Sequence, residues 1–324
     1  MNVLVVGGSG FIGTRLVKEL IEAGHYVKIY DLQQSISYPD NTIIGDIRSA
    51  DSLVRAARGF DVIYNLAAEH RDDVTPSSLY HDVNVAGADN VIQAAVRNGI
   101  NHIVFTSSVA IYGLNKNHPD EGSPIEPFNE YGRTKWAAEM LYQQWANEDT
   151  SRNLGIVRPA VVFGEGNRGN VYNLISQIST GRFLMVGNGE NRKSMGYVGN
   201  IAYFLTILGN LKGIQVFNFC DKPDLTSSEI AEIIANGLGK KLPSVKLPLS
   251  LGLIAGSFFD LVSTISGKKL PISAIRIRKF AAETTISTAR LKNSGYKPKF
   301  ELTEGIIRMI EHEFGHQNKP SVAD

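Results

Sequence analysis

The stretch "GGSGFIG", Gly7 to Gly13, lies between "VLVV" (Val3–Val6) and "TRLVKELIEAG" (Thr14–Gly24). A short apolar run stopped by glycine reads as a buried strand, and Leu16, Leu20 and Ile21 recur at helical spacing. Gly7, Gly10 and Gly13 therefore stand directly after a strand and at the mouth of a helix. Glycines there let the backbone approach a pyrophosphate, and the helix N-terminus favours its negative charge.

Working outward, the same alternation repeats. "YVKIYD" (Tyr26–Asp31), "TIIGDI" (Thr42–Ile47), "DVIYNLAA" (Asp61–Ala68) and "HIVFTSS" (His102–Ser108) read as strands. "SADSLVRAARG", with Ser49 as a cap, and "AGADNVIQAAVRNG" (Ala86–Gly99) read as helices between them. Strands alternating with helices predict βαβ units, hence an α/β fold with a doubly wound parallel sheet and ligands beyond the strands' carboxyl ends. This region is expected to span residues 1–165, with "GIQVFNFC" (Gly213–Cys220) among the later segments returning to it. Residues 166–315 are expected to form a smaller substrate-binding lobe, with helices at Leu225–Gly237 and Leu249–Ile265, and 316–324 a disordered tail.

Composition is that of a globular chain: 43% of the 324 residues are hydrophobic and 20% charged. One cysteine, Cys220, excludes an internal disulfide framework and fits a reducing compartment. The first residues show no basic start and too short an apolar run for a signal peptide. No metal site is expected. Net charge is only +1, yet residues 240–299 hold twelve Lys/Arg against Asp260 and Glu283 alone. Such a segment suits an anionic partner (a diphosphate, a lipid surface or nucleic acid), unless its lysines are simply solvated.

Asp31 ends the second strand, 18 residues after Gly13, where a carboxylate binds the ribose hydroxyls of NAD. No Arg follows in "DLQQS", so nothing is offered to the 2′-phosphate of NADP. Asp46 and Ile47, after the third strand, are placed to meet the adenine. "YGRTK" puts Tyr131 and Lys135 four residues apart, on one helix face. A phenol is a poor base at neutral pH, but a neighbouring ammonium stabilises its phenolate. Upstream, Thr106, Ser107 and Ser108 end a strand and can hydrogen-bond a substrate oxygen.

With "DVNVAG", "RPAVVFGEGN" and "YVGNIA" added, the chain resembles the extended short-chain dehydrogenase/reductase family, in its sugar-nucleotide epimerase branch. The resemblance implies a Rossmann-type sheet, bound NAD and these roles. Tyr131 is the acid/base, Lys135 its partner and a nicotinamide-ribose ligand, and Ser108 a substrate hydrogen-bonder. The cofactor is met by Gly7, Gly10, Phe11, Ile12, Gly13, Asp31, Asp46, Ile47, Leu66, Ala67, Ala68, Asn84, Thr106, Tyr131, Lys135 and Pro159. Glu69, His70 and Arg71 of "AAEHRDDV", with Asn170, Arg192 and Lys193, are expected on the substrate. The family's dehydratases carry an acidic pair where Ser107 and Ser108 stand, its simple reductases usually take NADPH, and this chain keeps the Tyr/Lys pair. What remains is 4-epimerisation.

Within that branch, "LAAEHRDDVTPSSLYHDVNVAG", "FGEGNRGNVYNLISQI", "NRKSMGYVGNIA" and "FCDKPDLT" resemble bacterial epimerases that convert GlcNAc to GalNAc on undecaprenyl diphosphate, in O-antigen assembly. Soluble UDP-hexose epimerases typically show an Arg where Lys193 stands, beside Arg192. The resemblance implies a polyprenyl-diphosphate-linked sugar, a homodimer through helices near 80–98 and 130–149, and no nucleic acid. It also implies a peripheral location on the cytoplasmic face of the inner membrane. In "LPLSLGLIAGSFFDLVSTISGKK", Leu251, Ile254, Phe258, Leu261, Val262 and Ile265 share a helix face, followed by Lys268, Lys269, Arg276, Arg278 and Lys279. That face either lies in the membrane interface or packs on its own lobe. A soluble UDP-glucose or UDP-GlcNAc 4-epimerase and a cofactor-binding regulator are the competing readings.

Overall fold

Strand β1 (Asn2–Val6) buries Val3, Leu4, Val5 and Val6 almost completely. A strand apolar on both sides needs cover on both sides, which a parallel sheet flanked by helices provides. The structure, a computed structural model, describes residues 1–71, 74–114, 116–266 and 274–315. In it β1 sits inside a seven-stranded sheet with β2 (Tyr26–Asp31), β3 (Thr42–Ile44), β4 (Val62–Asn65), β5 (His102–Thr106) and β6 (Asn153–Pro159). After β7 (Val161–Phe163), β8 (Met185–Val186) and β9 (Arg192–Tyr197), β10 (Ile214–Phe219) completes it. The order is β10-β6-β5-β4-β1-β2-β3, every neighbouring pair parallel. Strand order reverses at β1, so the turns leaving β1 and β4 face each other across a crevice.

On one side of the sheet α1 (Phe11–Glu22) contributes Leu16, Val17 and Leu20. On the other lie α2 (Ala50–Ala56), α3 (Ser78–His81), α4 (Gly87–Asn98) and α5 (Glu130–Asn147), with Leu53, Val91, Ala95, Ala138 and Tyr142 buried. After α6 (Asn170–Ser179), α7 (Val198–Leu208) returns to the first side with Ile201, Phe204 and Leu205. The doubly wound α/β fold expected from the sequence is the one observed.

Three local readings change. Ser49 stands at the cap position of α2, but its side chain makes no capping bond. The helix expected from Ala86 extends back to Ser78, with a wide π turn over Asp82–Ala86 between α3 and α4. The helix expected from Leu225 starts at Ser227, because Asp221–Thr226 is taken by β11, antiparallel to β9. Thr226 then caps α8 (Ser227–Gly237) reciprocally with Glu229, which fixes its first turn.

The chain forms two compact units. The first comprises Met1–Val162, Gly196–Cys220 and Ile286–Phe300, and the second Phe163–Met195, Asp221–Thr285 and the chain from Glu301. The last segment of the first unit is secured by Asn200, whose side chain donates to Phe300 O (2.8 Å) and accepts its N–H (3.0 Å). Residues 196–220 and 286–300, inside the 166–315 assigned to the lobe by sequence, are therefore part of the unit that holds the sheet.

In the second unit α8 packs on α6 and on α12 (Leu302–Phe314). β8 pairs with β12 (Lys246–Leu247), and α9 (Leu249–Ser266) packs on α10 (Ala274–Ala281). Gly256 permits that last contact, since a Cβ there would lie 2.7 Å from Ala274 N. No described helix is long and apolar enough to cross a membrane. Lys268, Lys269 and the tail 316–324 lie outside the described residues, as do the side chains of Phe258, Asp260, Leu261, Val262, Ile265, Arg276 and Lys279.

A buried polar contact ties helix α5 to β4: Asn65 Nδ2 donates to Tyr142 Oη at 2.7 Å. Removing the acceptor leaves a buried N–H unmet. Tyr142→Phe should lower the unfolding free energy by about 1–3 kcal/mol, measured by denaturant titration.

Candidate functional site

The turns after β1 and β4 meet at backbone distance. Gly7 has φ +78°, and a Cβ on it would lie 2.6 Å from Ala67 N. A Cβ on Gly13 would lie 2.5 Å from Gly7 O, so α1 begins hard against the turn. Leu66 N–H donates to Val6 O (2.9 Å), and Ala67 N–H to Asn65 Oδ1 (3.1 Å). Gly10 gives α1 no side-chain cap, and its first turn holds no acidic residue. The N–H groups of Phe11, Ile12 and Gly13 thus open the helix as an uncapped positive end, suited to a phosphate.

Asp31 accepts Ser9 N–H at 3.0 Å on one oxygen and Gln33 N–H at 3.1 Å on the other. These bonds orient the carboxylate and leave it further lone pairs. Asp46 behaves differently. Arg48 grips its carboxylate (Nη2 to Oδ2 2.6 Å), and this hydrogen bonding holds its pKa below the ordinary value. Ile47 is buried under Gly87, its carbonyl accepting from Asn90 Nδ2 at 2.9 Å.

At the end of β5, Thr106 Oγ1 and Ser107 Oγ are buried without a hydrogen-bond partner among the described residues. Ser108 starts the 3-10 turn Val109–Tyr112, its Oγ accepting Ala110 N–H at 3.1 Å. Asn129 caps α5, accepting Gly132 N–H at 2.9 Å, which sets the register of Tyr131 and Lys135 on its first turns. Burial pushes the Tyr131 phenol up, and the Ser108 hydroxyl opposes that shift. Lys135 is 1% exposed, with Nζ 4.3 Å from the Phe105 ring centroid. Desolvation lowers its pKa to about 7, against the pull of Glu139 one turn on.

Asn84 lies on the π turn, fully enclosed, where the sequence suggests only support for the cofactor region. Its Oδ1 accepts Glu69 N–H at 2.8 Å, and its Nδ2 donates to Glu69 O and to Thr134 Oγ1, each at 3.0 Å. Thr134 sits between Tyr131 and Lys135, so Asn84 joins the loop after β4 to α5. The extra backbone of a π turn is what turns Asn84 inward, and sequence spacing gives no sign of it.

In that loop Glu69 and Arg71 engage each other. Arg71 Nε and Nη2 reach the two carboxylate oxygens at 3.0 and 2.8 Å, and the N–H groups of His70 and Arg71 add to them. Tyr80 Oη donates to Arg71 O. His70 is exposed. Asp72 and Asp73 lie outside the described residues.

Pro159 ends β6, and the following Ala160 N–H donates to Phe219 O at 2.9 Å. In the second unit Asn170 is the first residue of α6. Arg192 Nη1 donates to Asp224 O at 2.8 Å, and Lys193 Nζ to Ala282 O. Burial lowers the Lys193 pKa to about 8. Among the described residues no cluster of metal-ligating side chains occurs.

A dinucleotide fits the first unit on three counts: a glycine turn that excludes side chains, an uncapped helix end, and two orphaned hydroxyls at the end of β5. Gly7, Gly10, Gly13 and Asp31 would hold its pyrophosphate and ribose end, and Thr106, Tyr131 and Lys135 its nicotinamide end.

The Arg71 bond lowers the Glu69 carboxyl pKa to about 2. The unfolded chain binds that proton from pH 4.5 downward. This group's contribution is therefore complete above pH 4.5 and lost as pH falls through 2. In a carboxyl ¹³C NMR titration Glu69 should show a midpoint near 2, rising toward the ordinary value in Arg71→Gln.

The model of the NAD dependent epimerase/dehydratase family matches residues 3–218. The N-acetyl-alpha-D-glucosaminyl-diphospho-ditrans,octacis-undecaprenol 4-epimerase of Escherichia coli O157:H7 is 49% identical, over 99% of this chain and 98% of that one. The UDP-glucose 4-epimerase of Vibrio cholerae is 27% identical over 82% of this chain and 85% of its own. Among solved structures, the UDP-glucose 4-epimerase of Thermus thermophilus in complex with NAD superposes with a TM-score of 0.75 at 21% identity, covering 96% of this chain and 98% of that one. That last likeness is one of fold. With the family match spanning residues 3–218 and the sheet, glycine turn and Tyr131/Lys135 pair in place, this chain belongs to the NAD dependent epimerase/dehydratase family.

Proposed function

We infer that this protein is an NAD-dependent sugar 4-epimerase interconverting GlcNAc and GalNAc on undecaprenyl diphosphate, for surface-polysaccharide assembly. The near full-length match to the Escherichia coli enzyme, at 49% identity, carries the reading. NAD supplies the chemistry of taking a hydride from the sugar's C4 and giving it back. The protein's part is proton transfer and positioning. Tyr131, as phenolate, takes the C4 hydroxyl proton when the hydride leaves, and returns it when the hydride comes back to the other face of the turned-over 4-keto sugar. Lys135 stabilises the phenolate, and Ser108 holds the sugar oxygen. No proton or hydride is gained or lost per cycle, so cofactor retention is favoured over exchange. Glu69, His70, Arg71, Asn170, Arg192 and Lys193 are assigned to the substrate. With Glu69 and Arg71 paired, the exposed His70 is, among the described residues of that loop, the side chain proposed to reach out.

The same reading has the enzyme act as a homodimer on the cytoplasmic face of the inner membrane. Val96 on α4 and Met140 on α5 are exposed apolar side chains of the helices assigned to the dimer. In the second unit Leu249, Leu251 and Ile254 lie exposed at the start of α9, Ile254 by 67%. Lys240, Lys241 and Lys246 border a cavity of about 480 Å³ floored by Phe183 and Met185. Exposed apolar side chains on α9, with three lysines in the chain just before it, are the features that support an anionic lipid surface.

Protein incubated with NAD and GlcNAc-diphospho-undecaprenol should yield the GalNAc epimer, with no turnover of UDP-GlcNAc. Turnover of the UDP-sugar alone would make it a soluble UDP-hexose epimerase. Tyr131→Phe should reduce kcat by about 10³-fold or more while NAD stays bound, and full activity in that variant would favour a cofactor-binding regulator. Leu251→Asp/Ile254→Asp should lose cosedimentation with phosphatidylglycerol-containing vesicles.

A further inference from the structure

Tyr131, Lys135 and Glu139 follow one another at four-residue spacing, so they form a stripe along one side of α5. Lys135 and Glu139 are 1% and 0% exposed. Glu139 is held by Arg158 of β6, itself 3% exposed, with Nη2 2.7 Å from Oε2 and Nε 3.0 Å from Oε1. Arg158 is fixed in turn. Its Nη1 donates to Tyr112 Oη at 2.8 Å and to Glu121 O at 3.2 Å, and the guanidinium lies 5.5 Å from the Tyr112 ring centroid and 5.8 Å from that of Trp136. Tyr112 donates to Asn218 Oδ1 at 2.7 Å, and Asn218 N–H to Glu121 Oε1 at 2.7 Å.

A buried ion pair is a poor way to stabilise a fold, because desolvation offsets much of the attraction. This one lies one helical turn beyond the lysine that serves the reacting phenol. We propose that Glu139 and Arg158 act together as a positioning pair for catalysis: Glu139 supplies the charge that retains the Lys135 ammonium, and Arg158, by gripping Glu139, limits how strongly it does so. The three groups form a chain of alternating charge with one net positive charge at the Tyr131 end when Lys135 is protonated. Without Arg158, the carboxylate acts on Lys135 alone and its proton is held more tightly. Without Glu139, nothing offsets burial or the repulsion of Arg158, and the proton is lost more easily.

The surroundings add little that would mask this. The other titratable groups of α5 on this side are Tyr131 and Tyr142. Tyr112 comes from the turn after β5, Glu121 is taken up by Asn218, and Asp89 of α4 acts on Tyr142. Phe105 and Thr106 from β5, Asn65 from β4 and Asn84 from the π turn carry no charge.

The proposal rests on the epimerase reading through Tyr131 and Lys135, and its test has two readouts. With [¹³Cε]lysine labelling, the Lys135 titration midpoint should fall by about one unit or more in Glu139→Gln and rise by a similar amount in Arg158→Gln. The alkaline limb of the kcat–pH profile should move in the same opposite directions. Arg158→Lys keeps the charge but loosens the bidentate grip, and should shift both readouts upward by less. This variant decides the matter should the Gln variants fail to fold. Shifts in one direction for both partners, or none, would show that the pair serves structure only. Opposite NMR shifts without turnover of either sugar substrate would leave the pair intact and overturn the epimerase reading instead.

Discussion

The first unit depends on a shortage of room. Where strand order reverses, the turn after β1 passes so close to Ala67 that Gly7 has no space for a side chain, and α1 starts so close to Gly7 that Gly13 has none either. This crowding aims the first-turn N–H groups of α1 into the crevice. It also brings the turn after β4, with Leu66 to Glu69, to the same place. Much of the rest follows from that packing: Asp31 oriented through Ser9, and β5 ending beside the crevice with two hydroxyls that no described residue meets.

The sheet and the glycine turn were readable because their physics is local. Buried strands, amphipathic helices and φ-positive glycine each leave a mark within a few residues. Tyr131 and Lys135 were readable for the same reason, four residues apart on one helix. What escaped was whatever depends on tertiary closure. The π turn that swings Asn84 inward has no period of its own. The mutual bond of Glu69 and Arg71 turns two expected substrate contacts into a partly self-satisfied loop. Glu139 stands at helical spacing from Lys135, but its partner Arg158 lies on strand β6, and no local pattern joins them.

The basic, apolar stretch of the second unit shows the same boundary. Helical periodicity predicted α9 and one apolar face, and Leu251 and Ile254 of that face are exposed. Lys193 was legible as a residue standing in an arginine's place. That its ammonium bonds Ala282 O, and is depressed by burial, follows from the pairing of residues 192–194 with the segment around Thr284. A lysine with a lowered pKa and one bond already made differs in kind from an arginine fork, which keeps its charge and offers paired donors.

The interleaving of the two units has a consequence for synthesis. Strand β6 pairs on one side with β5, and on the other only with β10, more than fifty residues later in the chain. During translation β6 is therefore an open edge while the first segment of the second unit, Phe163–Met195, is being made, and edges of that kind are where nascent chains pair wrongly. The dinucleotide crevice does not wait for β10, since β1 to β5, α5 with Tyr131 and Lys135, and β6 with Pro159 all precede it. The growing chain can thus complete its cofactor cradle first, and cofactor bound at that stage would hold the half-built sheet in register until β10 arrives.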